Sequence, residues 1–142
     1  MDILFKCILE LPKFAIKKNS KQIFKRRDTG QRFIGSNSKA QYLMDYLNAQ
    51  LMKEKLKNRI DTIEDEINVE MVFGFPSSVY FTKQGKRSNK VGDLSNLFEA
   101  VSDGLQKVGI ISNDANINGF NGSKRIPVDE KYILKIVITK AV

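Results

Sequence analysis

The chain has 142 residues, 42% apolar and 28% charged, the balance of a globular protein that buries roughly two thirds of its unfolded surface in one core. It has no histidine, which excludes Ser-His and Cys-His nucleophile pairs, HExxH zinc sites, histidine-based fingers and HNH-type nuclease centres; one cysteine excludes an internal disulfide. The net charge is +8 and the excess is local: residues 12–39 hold nine Lys/Arg against Asp28 alone, and the other 15 basic residues are balanced by 15 acids. Such a segment reads as the electrostatic footprint of a polyanion, with a solvated loop as the plain alternative. It lacks the amphipathic helical pattern of a membrane-surface segment. No apolar run approaches the roughly 20 residues that span a bilayer, and Met1–Leu9 is too short and interrupted for a secretory signal, so a cytoplasmic protein is expected. Any hydrolysis would have to run on carboxylates, lysines, hydroxyls or a metal held by oxygen.

Residues 2–11 place Ile3, Phe5, Cys7, Leu9 and Leu11 on one side of a first strand, ended by Pro12, and the apolar neighbours of Cys7 imply a buried thiol. A basic arm follows. Within it Ile23-Phe24 and Phe33-Ile34 flank Asp28-Thr29-Gly30, the pattern of a cationic hairpin. Ser36 or Ser38 can cap a helix over about 38–59, whose stripe is Leu43, Leu47, Leu51 and Leu56 with Tyr46 beside it. Ile67, Val69, Met71, Phe73 and Phe75 alternate with Asn68, Glu70 and Gly74 in a strand that serves the core ahead of any subunit interface. Val79-Tyr80-Phe81 is expected to add a short strand before the polar, basic turn Lys83–Lys90. A second helix, about 93–108, buries Leu94, Leu97, Phe98, Val101, Leu105 and Val108, and Gly109 stops it. Residues 115–120 and 132–139 complete the set as two strands. The order predicts an α+β fold, one mixed sheet packed with two main helices.

The polar residues of the second helix are periodic as well. Asp93, Asn96, Glu99 or Ala100, and Asp103 fall three or four apart, opposite the apolar stripe. Spacing alone does not assign chemistry here, because Asp is a favoured helix cap and every polar helix face collects carboxylates. The surroundings add weight: Lys83, Lys86, Arg87 and Lys90 precede Asp93, and Asp114 lies on the loop beyond Gly109. Two such carboxylates could converge on one Mg²⁺, which takes one or two from the protein and leaves room for water and substrate phosphate.

Gly92-Asp93-Leu94-Ser95-Asn96-Leu97, then Ala100-Val101-Ser102-Asp103-Gly104-Leu105, Val108-Gly109-Ile110 and Asn113-Asp114 resemble the signature of the RusA-like Holliday junction resolvases. That signature is an Asp-Leu-Asp-Asn-Leu helix start, an Asp one helix later, a Lys/Gly turn and an Asp-Asp pair. Lys17-Lys18-Asn19-Ser20 with Phe33-Ile34 is similar to the amino end of phage and prophage members. The resemblance implies a single RusA-like endonuclease domain over 1–142, with a DNA-binding arm at about 12–39. It implies a crossover junction endodeoxyribonuclease, a hydrolase of DNA recombination and repair that uses Mg²⁺ or Mn²⁺ and no nucleotide cofactor. Carried over residue by residue, Asp93 and Asp114 are the metal ligands. Asn96 keeps the motif's amide. Ser95 and Asn113 stand where the family has aspartates, and would bind only through a neutral oxygen or a bridging water. Glu99 replaces a lysine that some members carry, and could restore the missing carboxylate. The charge-stabilising role then falls to Lys17, Lys18 or Lys90. DNA contacts are expected from Lys17, Lys18, Asn19, Lys21, Lys25, Arg26, Arg27, Arg32, Lys86, Arg87 and Lys90.

A four-way junction has approximate two-fold symmetry, so paired nicks are best made by a homodimer with two identical sites. The competing class is a branched-DNA or RNA-binding protein with the same fold and a degenerate site, which Ser95 and Asn113 favour. Metal dependence separates the two.

Overall fold

A computed structural model describes residues 2–16, 21–25, 32–36 and 38–141, with the side chains of 21–25 and 32–36 outside the description. Strand β1 (Ile3–Leu11) buries Phe5, Cys7, Leu9 and Leu11 and leaves Lys6, Ile8 and Glu10 exposed. Strand β4 (Ile67–Pro76) buries every second residue from Ile67 to Phe75, as its alternation predicts, and β7 (Tyr132–Lys140) buries Leu134, Ile136 and Ile138. The registers put these side chains in rows. Ile136 stands between Cys7 and Met71, and Leu134 between Leu9 and Phe73, because β7 runs antiparallel to both neighbours. β4's other edge takes two short parallel strands, β5 (Ile117–Gly119) at its start and β6 (Lys124–Val128) along its end. One face of this sheet is therefore apolar and the other mixed, the usual state of an antiparallel-rich sheet covered on one side.

The covered face meets α1 (Ser38–Asn58) through Leu47 and Leu51, and α3 (Leu94–Lys107) through Leu97, Val101 and Leu105, in one continuous core. Each fully buried aliphatic side chain contributes about 1.5–3 kcal/mol. The α+β reading is thus borne out. Gly104 lies where α3 meets α1: a Cβ there would stand 2.9 Å from Asn48 Oδ1 and 3.0 Å from Leu51 Cδ1, so the missing side chain permits the close approach.

Between the first strand and α1, the hairpin β2 (Lys21–Lys25) and β3 (Arg32–Ser36) forms a separate two-stranded sheet that pairs Phe24 with Phe33. The Asp28-Thr29-Gly30 turn expected between them lies outside the described residues, as do residue 37 and the side chain of Ser36 ahead of α1. The root of the arm is anchored. Phe14 is 3% exposed and meets Phe73, Phe75 and Tyr132 edge-to-face at 5.2, 4.9 and 5.2 Å. The 73–75 aromatics are thereby core.

Two expectations need correcting, and one strand was missed. Val79-Tyr80-Phe81 does not extend as a strand: Ser77–Tyr80 form the one-turn helix α2. Its first hydroxyls bind at and just past the end of β6, Ser77 to the Val128 carbonyl and Ser78 to Glu130 at 2.7 Å, which turns the chain after Pro76. Leu56 is 70% exposed and falls off the buried stripe of α1. Strand β6 was not anticipated. It carries Lys124, Arg125 and Pro127, a poor strand sequence, and it is tolerated because it lies on the edge of β4, where a missing N–H costs little.

Candidate active site along helix α3

The turn before α3 sets the direction of Asp93. Ser88 Oγ accepts from Lys90 N at 3.1 Å and closes a short 3₁₀ turn, Asn89–Val91, whose Val91 is buried. Gly92 then takes φ 74°, a conformation that a side chain would strain. The Arg125 guanidinium donates to the Gly92 carbonyl and ties this turn to β6. Asp93 is extended (φ −85°, ψ 135°) at the N-cap position, and its carbonyl accepts from Leu97 N at 3.2 Å. The side chain is exposed and no capping hydrogen bond occupies its carboxylate oxygens. It lines a cleft of about 310 Å³ with Lys90, Asn96 and Ile16, the last residue described at the root of the basic arm.

The loop that carries Asp114 is pinned at both ends. Gly109, at φ 78°, reverses the chain after α3, and Ile110 N and Ile111 N both donate to Leu105 O, at 2.9 and 3.2 Å. Lys55 of α1 reaches the Val108 carbonyl at 3.5 Å, where a cation also meets the negative end of the helix dipole. Residues 110–112 pair with Ile63: Ile63 N donates to Ile110 O at 2.8 Å, and Ser112 N to Ile63 O at 3.0 Å. Asn113 Oδ1 accepts from Ala115 N at 2.8 Å and caps the turn Asp114–Asn116. Asp114 N donates to Gln106 Oε1 at 2.8 Å, which fixes the backbone of Asp114 to α3 and leaves its exposed carboxylate outward. Among the described residues, the carboxylates of Asp93, Glu99 and Asp114 take no hydrogen bond and no ion pair.

The arrangement along α3 differs from simple convergence. Asp114 shares a cleft of about 260 Å³ with Glu99, Asp103 and the buried Ser102, bounded by Phe98 and Phe120. Asp93 and Asn96 line the other cleft, one to two turns earlier on the helix. Ser95 is exposed and borders neither of these clefts. Asn113 has a structural use for its oxygen, one that an aspartate there would serve equally. Lys86 and Arg87 are exposed on the turn after α2, and Lys90 stands beside Asp93. Lys17, Lys18, Asn19, Arg26 and Arg27 lie outside the described residues, with the side chains of Lys21, Lys25 and Arg32.

Sequence reasoning passed over four residues. Asp103 was visible in the polar periodicity and was not carried into the site. Gln106, Arg125 and Phe120 carried no sequence signal, since their roles depend on which loop returns to which end of α3.

The donors fit a hard divalent cation in kind: they are carboxylates and an amide, with no thiolate or imidazole. Among the described residues no group of three or more acids is close enough to form a full cage. One or two carboxylates per cation, completed by water and phosphate, is the arrangement that Mg²⁺ commonly takes. Cys7 is a different case. Burial, with a smaller contribution from the charge of Glu54, pushes its thiol up to about 12 against a hydrogen bond from the Ile136 backbone, so it is an inert core residue.

A family model described as Endodeoxyribonuclease RusA matches residues 14–137, and no curated protein matches the chain.

Proposed function

Since the chain belongs to the endodeoxyribonuclease RusA family, whose members are Holliday junction resolvase nucleases generally dependent on a divalent metal, we propose that it cuts four-way and other branched DNA with Mg²⁺, in recombination and repair. The observation that carries this reading is the pairing of a family match over residues 14–137 with two carboxylates that take no hydrogen bond or ion pair among the described residues, Asp93 ahead of α3 and Asp114 on the loop that folds back against it. We take 1–142 as a single domain.

The family motif assigns the cation to Asp93 and Asp114. Since the two line separate clefts, in this reading Asp114 holds it with Glu99 of the same cleft, which supplies the charge that Ser95 cannot, and Asp93 faces the substrate side from the neighbouring cleft. Bound there, Mg²⁺ (or Mn²⁺) would supply Lewis-acid polarisation of a phosphodiester and a more acidic attacking water. The chain's own part is positional and electrostatic. Gln106 and the Asn113 cap hold the Asp114 backbone, so that its carboxylate meets substrate in a fixed place. Lys90 offsets repulsion between Asp93 and an incoming phosphate. With no histidine in the chain, proton removal from the attacking water falls to a carboxylate or to solvent. The basic arm, rooted by Phe14 and reaching the Asp93 cleft at Ile16, grips phosphates, and those contacts position the protein without reading sequence. Junction selectivity then comes from geometry, which a homodimer with two-fold symmetry provides. No helix of the described chain is long and apolar enough to cross a membrane, in keeping with a cytoplasmic DNA-acting protein.

A second reading, a non-cutting binder of branched DNA or RNA, is favoured by Ser95 and by the structural use of Asn113. Cleavage of matched junction, duplex, single-stranded DNA and RNA substrates with and without Mg²⁺ decides between them. Cutting confined to branched DNA supports the resolvase. Binding unchanged by EDTA, with no product from any substrate, supports the binder.

A further inference from the structure

The Asp114 cleft has an aromatic wall that the hydrolytic reading does not use. Phe120 is 58% exposed, a large apolar surface left in water beside three carboxylates. Its ring leans on Phe98 of α3, with centroids 5.0 Å apart and planes tilted by 47°. Phe98 is the inner, half-buried member of the pair, so the outer ring is backed on one side and open on the other.

The loop holding it is fastened to β4. Ser123 N donates to Phe120 O at 3.1 Å, and Met71 N donates to Ser123 Oγ at 3.0 Å. Gly122, at φ 85°, brings the turn so close that a Cβ would stand 2.8 Å from Glu70 Oε2. A Cβ on Gly119 would stand 3.0 Å from Asn68 Oδ1. Exposed rings on slack loops are ordinary, but this ring is presented by a turn locked at both sides. The carboxylates beside it repel a bare phosphate, whereas a nucleobase carries no charge and offers a π-face. Lys124, exposed, begins β6 just after this turn, whereas Arg125 is committed to the Gly92 carbonyl.

We propose that the Phe98–Phe120 pair is a stacking platform for one unpaired base of the DNA, which seats a branch point rather than plain duplex beside Asp114. This rests on the family reading of the chain as a DNA endonuclease, and it assigns that site a specificity residue. In duplex every base is already stacked on its neighbours and has nothing to gain from the ring. At a crossover or bulge an unstacked base recovers its lost contact on Phe120, and base–aromatic stacking is tolerant of base identity. Phe120 is a positioning residue and takes no part in bond breaking.

The chain has no tryptophan, so Phe120→Trp introduces a single indole that reports on stacking by fluorescence quenching. The full-length variant would be titrated to saturation with a four-way junction and with paired duplex of equal length, with Ca²⁺ replacing Mg²⁺. Phe120→Ala and Phe120→Leu would be compared for binding to both. The proposal expects strong quenching by the junction and little by the duplex. It also expects Phe120→Ala to lose on the order of tenfold in junction affinity with duplex affinity unchanged, and Phe120→Leu to lose nearly as much, since a branched alkyl group has no π-face. Equal quenching by both DNAs, or intact junction preference in Phe120→Ala, overturns the platform and leaves the nuclease reading standing. Quenching that grows with protein concentration in the absence of DNA shows a second copy of the chain on the ring and also overturns it. Failure of every variant and of the unaltered protein to bind either DNA refutes the family reading along with it.

Discussion

Replacing Gly104 by alanine probes the contact that sets the position of α3. A Cβ would meet Asn48 Oδ1 at 2.9 Å and Leu51 Cδ1 at 3.0 Å, with Leu47 Cδ2 at 3.6 Å. Leu51 is 0% and Leu47 1% exposed, so neither has space into which to retreat. Overpacking of this kind costs about 1–3 kcal/mol. Alanine returns about 1 kcal/mol through helix propensity. The steric cost wins, and the variant should be about 1 kcal/mol less stable. In urea the midpoint should fall by roughly 0.5 M at unchanged slope, and Tm by about 4 °C. Asn48 offers a check on the cause, because its buried Oδ1 has no hydrogen-bond partner among the described residues. Asn48→Ala removes the nearer contact, so the double variant should be more stable than the sum of the single effects predicts, with coupling of about 0.5–3 kcal/mol. A Gly104→Ala protein stabilised by the propensity gain, with additive behaviour in the cycle, would refute the close crossing of α1 and α3.

Gly109→Ala forces a Cβ into a left-handed conformation and to 3.1 Å from Lys55 Nζ, and should cost about 1–2 kcal/mol with faster amide exchange over residues 110–116. The Cys7 thiol is raised from 9.0 to about 12, chiefly by burial. The folded state therefore keeps its proton where the unfolded thiol loses it. The resulting stability is whole below pH 9, declines as pH rises toward 12, and the native thiol should resist alkylation at pH 8 until denaturant is added. DNA binding should fall steeply with salt, and Lys25→Ala or Arg32→Ala should each reduce the slope of log K against log salt by about 1 if the arm contacts phosphates.

The elements legible in the sequence were those whose side chains repeat with one period. Ile67 to Phe75 alternate because one face of β4 is buried, and Leu97, Val101 and Leu105 recur because α3 packs by one side. β6 was hidden, since an edge strand beside β4 needs no alternation of its own and even accepts Pro127. α2 was hidden because Ser77 and Ser78 are drawn to Val128 and Glu130, far away in sequence. The site divides in the same way. Helical spacing located Asp93, Asn96, Glu99 and Asp103 on α3, but it carries no information on where a returning loop docks. That Asp114 comes back beside Glu99 and Asp103 follows from Gly109, the Ile63 pairing and the Gln106 hydrogen bond, and that Asp93 stands beside Lys90 follows from the Ser88-capped turn, Gly92 and its tie to Arg125. The resemblance named the acids, and the folded loops decide their company.

The central claim is tested most directly by incubating a synthetic four-way junction with the protein and Mg²⁺, beside an EDTA control and Asp114→Asn. The account predicts symmetric paired nicks from the unaltered protein, none in EDTA, and none from Asp114→Asn, which should still bind the junction. Tight junction binding with no cut under Mg²⁺ or Mn²⁺ would contradict it, and would identify Ser95 and Asn113 as marks of a site that has lost its chemistry.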